Sequence, residues 1–216
     1  MDIKTTSLKS PIAAPAQDFV NAMASAAMGV SVVTTQGVAG RFGLTVSAWS
    51  SVSVEPPLLL ACINRKNAIA EAITVNGVFA VNALDDSHED VARVFAGRPT
   101  SGEAYEFEAG QWHDAAHELP LLNNASAYFI CALDSWHDAG THRIFMGRVE
   151  QAISGTVSPL LYHNRTFGRF EALKYFLFPS LQGGVRRGWG SKVNCRLWLS
   201  PTPCPLPFRE GKRDSA

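Results

Sequence analysis

The sequence predicts a mainly β fold: an all-β barrel with a few short helices around it. Two observations predict it. Short apolar, β-branched or small-residue runs recur at 30–35, 44–54, 58–63, 78–84, 127–133, 143–153 and 159–163, separated by turn signals rich in Gly, Pro and Asn. Helix-patterned segments are few, short and irregularly placed, so they do not supply the alternation that parallel βαβ units need.

Taken in order, residues 1–17 are polar and proline-interrupted and are expected to form a flexible arm. Asp18 is placed to cap a helix over 19–28, with Phe19, Met23, Ala26 and Ala27 on one side and Gly29 ending it. Residues 30–35 read as a strand, and 36–40, with two glycines, as a hairpin turn. Residues 44–54 read as one strand of short side chains. Pro56-Pro57 makes a corner, and the continuous apolar run 58–63 suits a strand buried on both faces. Residues 68–75 form a helix with Ile69, Ala72 and Ile73 inward, stopped by Asn76-Gly77. A strand at 78–84 follows, then Ser87-His88-Glu89-Asp90 in a capping-box pattern before a helix over 91–96. Residues 97–118 read as loop, pinned by Tyr105, Phe107 and Trp112. Two long strands at 127–133 and 143–153 are joined by an exposed turn at 136–141, and a short strand at 159–163 precedes Phe167-Gly168-Arg169-Phe170.

The length of 216 residues suits one domain with a real core, here 18–173. Residues 174–216 differ: they hold two of five Trp, two of four Cys, and prolines at 201, 203, 205 and 207, with no period. They read as an atypical, poorly ordered extension, packed at most through Trp189, Leu197 and Trp198. Its origin is open between a native cover for a partner surface and an aberrant end. Nineteen basic and nineteen acidic residues cancel, so neither nucleic acid nor an anionic membrane is an expected partner. Cys62, Cys131, Cys195 and Cys204 form no C-x-x-C pair, and the first two sit in apolar runs, which suits free thiols in a reducing cytoplasm. No secretory leader and no membrane-spanning run is expected. His113 and His117 have the i, i+4 spacing of helical metal ligands, but they fall in a loop-like stretch without a third donor, so no metal is expected.

Chemistry is concentrated in 43–67, GLTVSAWSSVSVEPPLLLACINRKN. Thr45, Val46, Ser47 and Ala48, followed by Ser50 and Ser51, keep side chains small enough for a flat ring to lie close to backbone N–H groups and hydroxyls. Asn64-Arg65-Lys66-Asn67 puts two cations at a helix start, a good seat for a phosphate. The alternative is an ordinary buried hairpin with a solvated turn. Absence of G-x-S-x-G, a P-loop or G-x-G-x-x-G argues against a serine hydrolase, a P-loop enzyme and a Rossmann dehydrogenase.

Gly43-Leu44-Thr45-Val46-Ser47-Ala48, Ser50-Ser51-Val52-Ser53, Pro56-Pro57 and Cys62-Ile63-Asn64 together resemble the short-chain NAD(P)H:flavin reductases, the reductase components of two-component flavin-dependent monooxygenases. The resemblance spans about 19–170. It implies a split, Greek-key β-barrel (the FMN-binding split barrel) that pairs into homodimers, with the flavin near the interface. It implies FAD or FMN, reduced by NADH or NADPH and then passed to a separate monooxygenase. In that frame Thr45–Ala48 hold the flavin ring, and Ser50, Ser51, Asn64, Arg65, Lys66 and Asn67 take its ribityl and phosphate part. Phe95-Ala96-Gly97-Arg98 resembles a flavin-side segment; taken bare it is a helix end with Phe95 in the core, which leaves Arg98 as a candidate contact. Gly140-Thr141-His142 resembles the family's Gly-Asp-His turn and makes His142 the candidate catalytic residue, a hydrogen-bond donor to nicotinamide or flavin. Alone, His142 reads as a packing or surface histidine. Phe167 and Arg169 would line the nicotinamide side, although core packing explains Phe167 equally well. A non-catalytic flavin-storage barrel, a structural barrel and a pyridoxine-phosphate-oxidase-like barrel are the competing readings.

Overall fold

The computed structural model describes residues 13–108 and 110–172; most of the expected arm, and the extension from 173 onward, lie outside the described residues. The described part is mainly β. Seven antiparallel strands form one sheet in the order β3-β2-β6-β9-β10-β5-β4. They are β2 (Ser31–Thr35), β3 (Phe42–Val46), β4 (Trp49–Val54), β5 (Pro57–Asn64), β6 (Val78–Ala83), β9 (Ala127–Ala139) and β10 (His142–Ser154). β3 and β4 follow one another in sequence yet stand at opposite ends of that order, separated only by Ser47-Ala48. The sheet therefore curls until its ends meet through Ser47-Ala48, and the amide of Cys62 donates to the Ala48 carbonyl at 2.8 Å, carrying the β4–β5 ladder up to that corner. The single strand expected over 44–54 is broken there, because a closing barrel needs a corner where the chain passes from one edge to the other.

A small sheet of β1 (Met28–Gly29), β11 (Leu160–His163) and β12 (Thr166–Arg169) and a hairpin of β7 (Trp112–Asp114) and β8 (Pro120–Leu122) flank the barrel. The hairpin lies in and after the stretch read as loop. Three helices decorate the barrel: α1 (Ala16–Ala24), α2 (Ala68–Asn76) and α3 (Glu89–Phe95).

Several boundaries differ from the sequence reading. α1 starts earlier, after Pro15, with Asp18 in its first turn and no side-chain cap. It stops at Ser25 rather than Gly29, because Met28 and Gly29 are drawn into pairing with Tyr162 and Leu161. α3 has no capping box. The Asp85 carboxylate instead accepts from the Ser87 amide at 2.9 Å and hydroxyl at 2.6 Å, and His88 stands at the N-cap with no side-chain bond to the helix amides, its Nδ1 turned to Asp85. Residues 136–139 continue β9, since Trp136 pairs with Phe145 and Asp138 with Arg143, leaving Gly140-Thr141 as the turn. β5 is buried on one face only: Leu59, Ala61 and Ile63 point into the core while Leu58, Leu60 and Cys62 are partly exposed.

α2 ends as the sequence predicts, at Gly77 with φ +71°, whose amide donates to Ile73. Its Ile69 and Ile73 join Val33, Leu59, Phe79, Val81, Cys131 and Phe145 inside the barrel. Burial, with some help from the Glu150 charge, pushes the Cys131 thiol up to about 12, and burial also raises Cys62, so both are free protonated thiols at neutral pH. A Cβ on Gly147 would lie 2.5 Å from the Phe79 ring and 2.8 Å from the Cys131 Cβ. Gly147→Ala is therefore expected to destabilise by about 1–3 kcal/mol through overpacking. Urea denaturation measures it, and an unchanged midpoint would mean that the interior has slack there. Among the described residues no helix is long and apolar enough to cross a membrane.

Candidate functional site

The site is built on β3. Its C-terminal half faces α3 and the β11–β12 hairpin. Thr45 Oγ1 donates to the Ala92 carbonyl at 2.7 Å, so the hydroxyl expected to face a ligand anchors α3 instead. α3 ends in a Schellman motif: Gly97, at φ +71°, donates to Val94, and the Arg98 amide donates to Arg93. That geometry turns Arg98 back beside the shelf.

Asn164 and Arg165 both have positive φ (47° and 64°), as a tight hairpin turn between β11 and β12 requires. The turn brings Tyr162 against Phe167 at 5.0 Å between centroids, the rings tilted by 58°, and the Arg93 guanidinium lies over the Phe167 ring at 5.2 Å. The result is a cleft of about 400 Å³ lined by Thr45, Val46 and Ser47 on one side and by Arg93, Arg98, Tyr162, Arg165 and Phe167 around it. Arg93 is tied to Glu89, while Arg98 and Arg165 form no ion pair among the described residues. The cleft joins small-residue backbone, aromatic rings and cations, the three things a nucleotide with a flat ring and a phosphate asks for.

The basic corner lies at the end of β5. Asn64 Oδ1 accepts the Lys66 amide at 3.0 Å and its carbonyl accepts the Asn67 amide, bending the chain into α2. Asn67, at the N-cap, makes no side-chain bond to the helix amides. A cavity of about 460 Å³ opens here between Asn64, Arg65, Lys66 and the Gly140-Thr141 turn, with Asp138 and Arg143 in its wall. Asp138 accepts from Arg143 Nε at 2.8 Å and from Arg65 Nη1 at 3.0 Å. Hydrogen bonding by Arg143, then by Arg65, holds the Asp138 carboxyl below its ordinary range and keeps it ionised at neutral pH. Arg143 also reaches Thr74 at 3.1 Å and lies over the Trp136 ring at 4.0 Å. A third hollow, of about 290 Å³, places Lys66, Asn67 and Ala68 against Gly43, Leu44 and Tyr105. The side of the corner formed by Lys66, Asn67 and Ala68 therefore sits beside the N-terminal half of β3, the strand whose other half lines the cleft.

The sequence-predicted residues thus fall into groups. Thr45, Val46, Ser47, Arg98 and Phe167 share the cleft. Asn64, Arg65 and Lys66 share the corner, and Asn67 lines the third hollow. His142 is exposed at the head of β10 opposite Asn64, its Nδ1 2.9 Å from Thr141 Oγ1, so it stands by the corner rather than the cleft. Ala48 lies at the corner between β3 and β4, its carbonyl accepting from the Cys62 amide of β5. Ser50 and Ser51 are exposed on the edge strand β4, outside all three hollows. Phe95 is core, as its bare reading had it. His113 bonds Asn123 from β7 and His117 bonds Glu150, so their helical spacing is not realised. Among the described residues no cluster of three metal-type donors forms.

Sequence reasoning missed Arg93, Tyr162, Arg165, Asp138 and Arg143. The Asn164-Arg165 turn was the one local signal for the second and third of these; Asp138 and Arg143 pair only because the β9–β10 register puts them opposite each other.

Residues 23–171 match the flavin reductase like domain family. The chain is 38% identical over 164 residues, 76% of its own length and 90% of the other's, to an FMN reductase (NADH), RutF, of Variovorax paradoxus. It is similar in structure to BorF, the flavin reductase component of a bacterial two-component tryptophan halogenase, with a TM-score of 0.66 and 31% identity over 74% of this chain and 100% of that one. It is also similar to the NADH:FAD oxidoreductase SgcE6 of Streptomyces globisporus, in complex with NAD and FAD fragments, at TM-score 0.65 and 28% identity over 74% and 98% of the two chains.

Proposed function

We propose, for a chain that belongs to the flavin reductase like family, that it takes hydride from NADH onto FMN and releases the reduced flavin to a separate monooxygenase or similar flavin-dependent enzyme. The observation that carries this reading is that β3 has at its C-terminal half a ring-sized cleft with free arginines, and beside its N-terminal half, across a small hollow, a basic corner at a helix start. The residues present fit both nucleotides. Lys66 has no carboxylate partner among the described residues, and the first turn of α2 is uncapped by its N-cap side chain, so the corner suits the flavin phosphate. Arg98 and Arg165 suit the paired phosphates of the dinucleotide, with Phe167 and Tyr162 offering ring faces. His142, beside Asn64, is in place to donate to a polar ring edge. The flavin supplies the redox chemistry, and the protein's part is to hold the two rings in stacking register, at about 3–3.5 Å.

Names of relatives favour FMN over FAD and NADH over NADPH, and the same assay tests all four. Homodimer formation in the cytoplasm completes the proposal. β4 is an uncovered edge with Val52 and Val54 exposed, Leu58 and Leu60 are half-covered beside it, and Cys62 and Cys131 are free thiols.

The decisive experiment mixes purified protein, NADH or NADPH, and FMN or FAD, and follows nicotinamide absorbance. Flavin-dependent oxidation is expected. Its absence with both nicotinamides refutes the enzyme, and tight flavin binding without turnover would identify a storage barrel instead.

A further inference from the structure

We infer that Asp138 acts as a brake on flavin binding: it competes with the flavin phosphate for Arg65 and so holds the affinity low enough for the reduced product to leave. This rests on the reading of the corner as the phosphate seat. The corner gathers three cations, Arg65, Lys66 and Arg143, around the single carboxylate of Asp138, with Glu71 at 3.6 Å from Arg143 on the exposed rim.

The two arginines bound to Asp138 differ in freedom. Arg143 is fixed by Asp138, by Thr74 and by the Trp136 ring, and only 14% of its side chain is exposed. Arg65 has Asp138 as its one side-chain partner among the described residues, at 3.0 Å, and 47% of its side chain is exposed. Exposed ion pairs are weak, so a phosphate oxygen can take Arg65 from the carboxylate at little cost. Once the phosphate is bound, the Asp138 charge stays on the wall of the same cavity, anchored by Arg143. A fixed anion beside a bound anion weakens that binding directly and selectively, since it acts on the phosphate and not on the ring. A protein that keeps its flavin would gain by an uncharged group here; one that hands its flavin on gains from the charge.

The test compares FMN with riboflavin, which lacks the phosphate, by quenching of flavin fluorescence at low salt in the wild-type chain, Asp138→Asn, Arg65→Gln and the double variant. Asp138→Asn is expected to tighten FMN about tenfold, as removal of one nearby like charge allows, and to leave riboflavin unchanged. The gain should be smaller in the double variant relative to Arg65→Gln, because the release of Arg65 no longer contributes while removal of the fixed charge still does. Equal or weaker FMN binding in Asp138→Asn, or riboflavin tightening in step with FMN, would overturn the brake. The first would make Asp138 a support that positions Arg65. Circular dichroism on each variant separates these from misfolding, and Arg65→Gln alone, weakening FMN but not riboflavin, gives an independent check of the exchange. A wild-type chain that binds neither flavin would overturn the reading of the site itself, a distinct result.

Discussion

Replacing Arg98 and Arg165 together by alanine should raise the KM for NADH roughly a hundredfold while kcat changes little. Each is an exposed cation on the rim of the 400 Å³ cleft, and neither is held by a carboxylate among the described residues. A charge-assisted hydrogen bond contributes about 1.5–3 kcal/mol, so two contribute about 3–6 kcal/mol. Solvent exposure puts the expectation at the lower end, near two factors of ten. The kinetic split follows from position. Phosphates that take no part in hydride transfer are held equally before and during it, which moves KM and not kcat. Flavin affinity, measured separately by fluorescence, should stay within a factor of two or so, because the corner is a different hollow. An unchanged KM would remove the dinucleotide from this cleft.

Phe95→Ala should cost about 3–5 kcal/mol of folding stability. The ring is 1% exposed and meets Phe107 at 4.8 Å and Trp112 at 5.2 Å, both edge to face. It also lies over Gly43, where a Cβ would come within 2.5 Å of it, so the glycine at the start of the shelf is there to admit the ring. Truncation leaves a large cavity between α3, β3 and the long loop. Those elements are held apart from one another by other contacts and collapse only partly. Measured against a typical total of about 5–15 kcal/mol, the loss is a large fraction of the stability. Thermal unfolding should show a fall of about 6–20 °C, at about 2–4 °C per kcal/mol for a chain of this size. A fall under about 2 °C would mean that the aromatic cluster carries little of the fold. α3 is tied to the shelf through Thr45 and Ala92, so the surviving folded protein should also bind NADH more weakly.

The small, polar stretch was legible as a shelf because side-chain size is written residue by residue. Lys66 and Asn67 were legible as a turn into a helix because an Asx turn and a helix start are local. Arg65 was legible as a cation but not as one already bound, since Asp138 lies 73 residues away. The same holds for Thr45, whose hydroxyl is taken by a carbonyl 47 residues on. The capping-box reading at Ser87 failed to a neighbour, Asp85, whose carboxylate offered the serine a nearer and stronger acceptor.

By itself, the sequence determined the strand runs at 30–35, 58–63, 78–84, 127–133, 143–153 and 159–163, the turn at 36–40 and the stop of α2 at Gly77. Period, turn chemistry and side-chain volume act within a few residues and need no distant partner. Only the tertiary structure decided that β3 and β4 part at Ser47-Ala48 to close the barrel, that Trp136 to Ala139 lengthen β9, and that Tyr162, Arg165 and Phe167 come to stand over Thr45–Ser47. Those choices belong to pairings between segments tens of residues apart. Their free energy exists only once the sheet has curled, when a backbone amide, a ring face or a carboxylate arrives within about 3–5 Å of groups that the local sequence cannot see.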